Sequence, residues 1–339
     1  MDSPFISIII VNWNGKHFLP DCLGSLSKIS YKNIEILFVD NASKDESVSY
    51  VKKHYPKIKI IQNNANLGYA EGHEEAFKKA KGELVLLLST DTIVEENLLD
   101  ELVKGINLHE KIGAVMPKLL MYPQKHLIDS VGAFFLTSGM LYHYGREKDH
   151  TLPLYNKPMT IYSAKGACLL FRKSVLEKIG LFDKDYFAYF EETDLCHRIW
   201  LSGHEVWYWP KTKVYHIGAG TSGKLVPSFI LFNSFKNRIC TYLKNFSLKT
   251  LLVTLPLTLF IYQCVFILNL LSKKGSIAWS IQKAILWNIT HISSTMRKRN
   301  HIQKYVRVVD DQDYLPKVMR PVRMSYYYFM FKGLRYYND

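Results

Sequence analysis

Acidic residues are nearly missing from the last part of this 339-residue chain. From residue 211 onward there are four, Asp310, Asp311, Asp313 and Asp339, against 20 Lys and Arg, a net of +16. With a chain total of +14, residues 1–210 carry 14 − 16 = −2. A near-neutral body thus precedes a strongly basic region, and such regions seek phosphates on nucleic acid or on anionic lipid. Cysteine is sparse and scattered: Cys22, Cys168, Cys196, Cys240 and Cys264 are odd in number and show no paired spacing. This argues against a zinc site and a disulfide framework and points to a reducing compartment. No Gly-rich dinucleotide fingerprint or P-loop follows the first apolar run, where the chain reads Asn12-Trp13-Asn14-Gly15, so a dehydrogenase or P-loop NTPase is disfavoured. A signal-peptide pattern, internal repeats and low-complexity tracts are also missing, and the protein is expected to face the cytoplasm.

Charge is absent altogether from the 22 residues 250–271, a length that suits a bilayer span and favours lipid over nucleic acid as the partner of the basic region. Lys244 and Lys249 precede this stretch and Lys273 and Lys274 follow it. A simple span would put one basic flank on the wrong side, so a monotopic or hairpin attachment is preferred to a span or a buried core helix. The segments 228–246 and 277–292 mix aromatics, aliphatics and Lys without acids, which fits an interfacial position and also ordinary helix packing. Two regions follow: a catalytic-size domain at 1–223 and a basic, apolar, helical region at 224–339.

What is present in the first part is a regular alternation. Apolar strands are expected at 8–11, 34–40, 58–62, 84–88 and 114–116, with helices at 17–27, 46–54, 70–80 and 95–108 between them. This is an α/β class with a mostly parallel sheet. An irregular stretch rich in Tyr, His and Gly runs from 118 to 160 and suits an active-site loop region with a few antiparallel strands. A strand at 167–172, helices at 174–179 and 191–202, and strands at 205–209 and 213–216 follow.

Several strand ends carry chemistry. The run Leu84-Val85-Leu86-Leu87-Leu88 ends in Ser89-Thr90-Asp91-Thr92, delivering a carboxylate to the edge where open α/β sheets bind ligands. Asp91 could hold a divalent cation against a phosphate or cap a helix near Glu95. Asp40, with Asn41 after it, ends the second strand at the same edge and suits a base or ribose, or an Asx-turn. Asn64 to Gly72 is a polar entry to a helix, with Asn66 in it, whose N–H groups could face a phosphate. On a helix from Glu191, the residues Glu191, Asp194 and Arg198 share a face, and the local acids suit either a general base or a dipole-balanced helix start. His216 closes a strand ahead of a flexible Gly/Ser segment at 218–223 and could complete the coordination of a metal begun by Asp91.

The ordered set Ser7-Ile8-Ile9-Ile10-Val11-Asn12-Trp13-Asn14, Val39-Asp40-Asn41-Ala42-Ser43, Asn66-Leu67-Gly68-Tyr69-Ala70, Leu88-Ser89-Thr90-Asp91-Thr92, Phe182-Asp183, Glu191-Glu192-Thr193-Asp194-Leu195 and Tyr215-His216 resembles the family 2 glycosyltransferases, over about the first 220 residues. Within that family it is most similar to rhamnosyltransferase-like enzymes of surface polysaccharide assembly. The resemblance implies a GT-A fold and inverting transfer of a sugar from a nucleoside-diphosphate donor, with Mn or Mg, to a glycan or polyprenyl-linked glycan acceptor. By position it assigns Glu192 as base, Asp40 to the nucleoside with Asn41 and Asn66 nearby, and Asp91 and His216 to the metal. Gly166, Trp13, Glu191 and Asp194 are assigned to the donor sugar or acceptor. The chain departs from the pattern at Ser89, where an Asp or Asn is common, and at Glu192, where Asp is more frequent. A catalytically weak nucleotide-binding protein of the same fold is the alternative. A nucleic-acid binder is disfavoured, because the basic region is interrupted by the long apolar stretch.

Overall fold

The computed structural model describes residues 3–218, 226–332, 334–337 and 339. The expected Gly/Ser segment at 218–223 and the boundary after 223 fall largely in 219–225, outside the described residues.

The chain opens with β1 (Ile6–Asn12), α1 (Leu19–Leu26), β2 (Ile34–Asp40), α2 (Ser47–His54), β3 (Lys59–Gln62), α3 (Gly68–Gly72), α4 (Glu74–Lys79) and β4 (Leu84–Leu88). It continues through β5 (Thr92–Val94), α5 (Leu98–Ile106), β6 (Ile112–Met121), β7 (Ile128–Ser130), β8 (Ala133–Phe135), β9 (Leu141–His143) and β10 (Met159–Thr160). Then come β11 (Cys168–Arg172), α6 (Lys173–Ile179), α7 (Glu191–Leu201) and β12 (Glu205–His216). The rest is helical: α8 (Pro227–Asn245), α9 (Leu248–Leu271), α10 (Gly275–Thr290), α11 (Ile292–His301), α12 (Asp311–Val318) and α13 (Ser325–Lys332).

Among the described residues ten strands form one sheet, in the order β10-β12-β6-β11-β4-β1-β2-β3, with β5 added to β12 and β7 to β6. The four strands from β3 to β4 are parallel, as are β6 and β12, while β11 runs antiparallel between β4 and β6. All five residues of β4 are buried, as expected of a strand covered by helices on both faces. From β1 the chain moves to β2 on one side and later to β4 on the other. That switch opens a crevice at the carboxyl ends of β1 and β4, where Trp13 and Asp91 follow.

Three elements differ from the sequence reading. The helix expected at 95–108 is shorter (Leu98–Ile106); before it Thr92-Ile93-Val94 pairs with Val214–His216 as β5, and Glu95 is tied to Lys213 by its amide and side chain. Asp91 therefore lies between two strands and caps no helix. The helix expected at 70–80 is two short ones meeting at His73. The strands expected at 205–209 and 213–216 are one strand with an irregularity in its pairing between Trp209 and Lys213.

The region after residue 226 is not a detached basic appendage. Helix α8 buries Asn233, Lys236, Asn237, Thr241, Lys244 and Asn245, so of the two readings of 228–246 the observed one is ordinary helix packing. Asn237 Nδ2 donates to the carbonyls of Ala188 (3.1 Å) and Tyr189 (2.6 Å), and the Tyr186 hydroxyl donates to the Asn237 carbonyl at 3.0 Å. Part of the positive charge is used internally. Lys244, 1% exposed, pairs with Asp183 and Asp194, Lys298 pairs with Asp183 and Asp185, and Arg198 bonds Asp194 at 2.9 Å. Arg299 donates to the Leu243 and Phe246 carbonyls and so caps the end of α8. Lys244→Met would leave two buried carboxylates short of a cation. It is expected to destabilise the fold by about 3–5 kcal/mol, read as a lower midpoint of denaturant unfolding.

Helix α9, with a mean hydropathy of 2.2, is long and apolar enough by length and composition to cross a membrane. One narrow stripe of it is buried: Leu251, Thr254, Thr258 and Tyr262. Thr258 Oγ1 bonds the Ser138 carbonyl at 3.2 Å in the turn between β8 and β9. Gly139 in that turn has φ +74°, and a Cβ there would lie 2.0 Å from Thr258 Oγ1, so only glycine lets the turn approach the helix. Gln282 donates to Gln263 at 2.8 Å and Trp279 packs on Phe266 at 5.7 Å, so α10 runs back along α9 as an antiparallel hairpin. Opposite the buried stripe, α9 exposes Val253, Phe260, Ile267 and Leu271, and α10 adds Trp279, Leu286 and Ile289.

Candidate active site

A cavity of about 650 Å³ opens at the crevice between β1 and β4. Its wall includes Trp13, Asn41, Asn66, Ser89, Asp91, Gly166, Glu191, Glu192 and His216, so the structure brings together most residues singled out from the sequence.

The floor is built by strand pairing. His216 ends β12 opposite Thr92 of β5, and the Ile217 amide donates to the Asp91 carbonyl at 2.9 Å. This register places His216 Nε2 3.5 Å from Asp91 Oδ2. The other ring nitrogen, Nδ1, lies 2.8 Å from Asp129 Oδ2. Asp129 sits on β7 and also accepts from Lys165 Nζ at 2.7 and 2.6 Å and from Arg146 Nη1 at 3.2 Å. Burial works against the charged form of Asp129, but the hydrogen bond from His216 and the Lys165 charge prevail and hold its carboxyl well below the usual range. Burial also opposes charge on His216. Its bonds to Asp129 and Asp91 nevertheless hold the imidazole above its ordinary value.

The opposite wall is the first turn of α7. Tyr189 (φ +71°) and Phe190 (φ +72°) are consecutive left-handed residues that turn the chain sharply into the helix. The bonds from Asn237 of α8 described above hold this turn, and Glu191 and Glu192 emerge from it on the cavity. One carboxylate oxygen of each, Oε2, is buried without a hydrogen-bond partner among the described residues. Burial, and the Glu192 carboxylate beside it, push Glu191 well above the usual carboxylate range. Burial raises Glu192 too, opposed in part by backbone N–H groups and the charge of Lys165. Gly166 approaches this wall, and its carbonyl accepts from the Tyr69 hydroxyl at 2.7 Å.

Two expected site residues do structural work elsewhere. Asp40, 2% exposed, accepts from Asn12 Nδ2 at 3.1 Å and from the amide of Ser43, three residues on, at 3.0 Å, bracing the turn after β2, and it is not part of the cavity wall. Asp194 is buried between Arg198, Lys244 and Asn245 and points away from the cavity. The helix start after Asn66 offers no free phosphate cradle: α3 has five residues, and the Tyr69 and Ala70 amides donate to the Phe187 carbonyl at 2.7 and 3.4 Å. Asn66 instead shapes the loop, its Oδ1 accepting from the Gly68 amide at 3.0 Å, while Asn41 Nδ2 donates to the Gly68 carbonyl at 2.8 Å.

Sequence reasoning missed Asp129, Lys165 and Arg146. The available signal was Leu127-Ile128-Asp129-Ser130-Val131, an acid in an apolar run inside the irregular stretch, where a buried acid needs a cationic partner.

Among the described residues no cluster of three or more His, Cys, Asp or Glu side chains has metal-binding geometry. A carboxylate oxygen and an imidazole nitrogen 3.5 Å apart nevertheless fit two neighbouring ligands of an octahedral ion. With bonds of about 2.1 Å such ligands are about 3 Å apart. The mixed O and N donor set suits Mn better than Mg, which prefers oxygen ligands, with the remaining positions left to phosphate oxygens and water.

The sequence profile of Glycosyl transferase family 2 matches residues 7–180, a little over half of the chain. Among curated proteins, N-acetylglucosaminyl-diphospho-decaprenol L-rhamnosyltransferase of Mycobacterium tuberculosis is 24% identical over 245 residues, 65% of this chain and 78% of that one. Among solved structures, GalNAc-T7 with UDP, GalNAc and Mn2+ aligns with TM-score 0.56 and 19% identity over 70% of this chain and 47% of that chain. This chain thus spans about half of that protein. The mannosyltransferase PcManGT of Pyrobaculum calidifontis, in complex with GDP-Man and Mn2+, aligns with TM-score 0.52 and 16% identity over 84% of this chain and 87% of that chain. At these identities the likeness is one of fold, and the fold is the expected GT-A architecture.

Proposed function

From the premise that this chain belongs to glycosyl transferase family 2, we propose an inverting sugar transfer. The donor is a nucleoside-diphosphate sugar and the acceptor a hydroxyl of a glycan or polyprenyl-linked glycan in surface polysaccharide assembly. The observation that carries this reading is one cavity with Asp91 and His216 converging on its floor and the partnerless Glu192 oxygen on its wall.

Inverting transfer is a single displacement at the anomeric carbon. Glu192 takes the proton of the acceptor hydroxyl as that oxygen attacks. Asp91 and His216 would hold Mn or Mg, which would supply positive charge to offset that developing on the departing diphosphate. Lys165 and Arg146 add positive charge to the same wall. Asn41, Asn66 and Trp13 line the nucleoside side, and Gly166 lets the donor sugar pass close to the backbone. Burial and the neighbouring Glu192 carboxylate disfavour ionisation of Glu191, while Lys165 and backbone N–H groups favour it at Glu192. The test of inversion is the anomeric configuration of the product against that of the donor, read from the proton NMR coupling of the new linkage. An opposite configuration is expected, and a retained one contradicts the single displacement.

A lipid-linked acceptor requires the enzyme at a membrane. We place α9 and α10 flat on the cytoplasmic leaflet, with their exposed apolar side in the headgroup boundary and Lys249, Lys273, Lys274 and Lys283 against anionic lipid. The seat of Thr258 on the β8–β9 turn supports this position over a span. A spanning α9 would carry that polar backbone turn into hydrocarbon.

A further inference from the structure

Asp129 belongs to no motif in the sequence, yet three segments far apart in the chain converge on it. His216 comes from the end of β12, Lys165 from the segment before β11 and Arg146 from the segment after β9. Both carboxylate oxygens are occupied, Oδ1 by Lys165 and Arg146 and Oδ2 by Lys165 and His216. A carboxylate so fully engaged and neutralised by two cations serves as an anchor and not as a ligand.

We infer that Asp129 is the positioning residue for the metal site: it fixes the ring of His216 through Nδ1–H, so that Nε2 is the nitrogen presented to the cation beside Asp91. The inference rests on the reading of Asp91 and His216 as metal ligands. Its physical basis is that imidazole has two nitrogens with opposite duties. The nitrogen bonded to a carboxylate keeps its proton, which leaves the other nitrogen to give up a proton and coordinate. The 2.8 Å contact of Nδ1 to Asp129 is a full hydrogen bond, whereas the 3.5 Å separation of Nε2 from Asp91 is at the limit of one, so the geometry favours Nδ1 as the donor and Nε2 as the nitrogen left for the cation. Lys165 and Arg146 in turn keep Asp129 from moving toward the cation itself. With Ser89 where a second acidic or amide ligand is common in the family, the site depends on His216 being held in place.

The inference is tested on the full chain with Mn2+ alone as the probe, the free ion being followed by electron paramagnetic resonance. Asp129→Ala is expected to weaken Mn2+ binding by about 10- to 100-fold. Asp129→Asn, which keeps an oxygen able to accept from Nδ1–H, is expected to lose less. His216→Ala should lose at least as much as Asp129→Ala, and the double variant no more than His216→Ala alone, because the two act through one ring. Wild-type affinity in both Asp129 variants, or losses that multiply in the double variant, would overturn the inference while leaving the metal site standing. Wild-type affinity in both Asp91→Ala and His216→Ala would instead remove the metal site. A second measurement needs no variant: nitrogen-15 NMR of the neutral His216 ring should show the proton on Nδ1, and a proton on Nε2 overturns the assignment even if Asp129→Ala does not fold.

Discussion

Glu192→Gln is expected to lower turnover by about 100- to 10,000-fold, the range that a general base contributes to proton transfer. The substitution keeps the shape of the side chain and removes only its ability to accept a proton. Donor binding, set on the far side of the cavity, should change little, so the loss appears in kcat and not in KM for the donor. Glu191→Gln is expected to have a smaller effect, because burial and its neighbour already disfavour the charged form of that carboxyl. The same environment gives a pH signature. Glu192 acts as the carboxylate, and burial raises its pKa. The rate should therefore fall as pH drops through a midpoint above the usual carboxylate range. An acid limb at the ordinary Glu value would remove the desolvated pair from the account.

The second large effect is expected on membrane attachment. Val253, Phe260 and Ile267 project from α9 opposite its buried stripe, so replacing all three with Asn should leave the packed face intact. Burying each apolar side chain is worth about 1.5–3 kcal/mol. Even partial insertion lost at three positions then lowers partitioning onto anionic vesicles by about 100-fold or more. Co-sedimentation with the vesicles measures this, and activity toward a water-soluble acceptor should persist. Unchanged vesicle binding would move the attachment elsewhere. Deleting the helical region outright is a poor test, because α8 holds the turn that presents Glu192.

The contrast between α8 and α9 shows where sequence reading reaches its limit. The 250–271 stretch is conspicuous as an uncharged run. Being apolar all round, however, it carries no periodicity to say which side is buried, and that is decided by Ser138 and Gly139 more than a hundred residues earlier. In α8 the buried residues are Asn, Thr and Lys, which read as surface until their partners are known. The site divides in the same way. Asp91 and His216 stand out in the sequence because strand ends are marked by abrupt changes of pattern, whereas Glu192 is singled out from its acidic neighbours only by the family resemblance, and the structure places all three on one cavity. Asp40 and Asp194 look equally chemical but are occupied by a turn and by a buried ion network. Asp129 was not legible because its role depends on a histidine 87 residues away.

The account turns on metal-dependent sugar transfer in this cavity. The most direct test offers the full chain a panel of uridine, guanosine, thymidine and cytidine diphosphate sugars and follows release of nucleoside diphosphate with and without Mn2+. The account predicts that at least one donor is consumed only with the metal, and that Asp91→Ala and Glu192→Gln each abolish the release. Release that persists in both variants, or that proceeds equally after chelation, would contradict it.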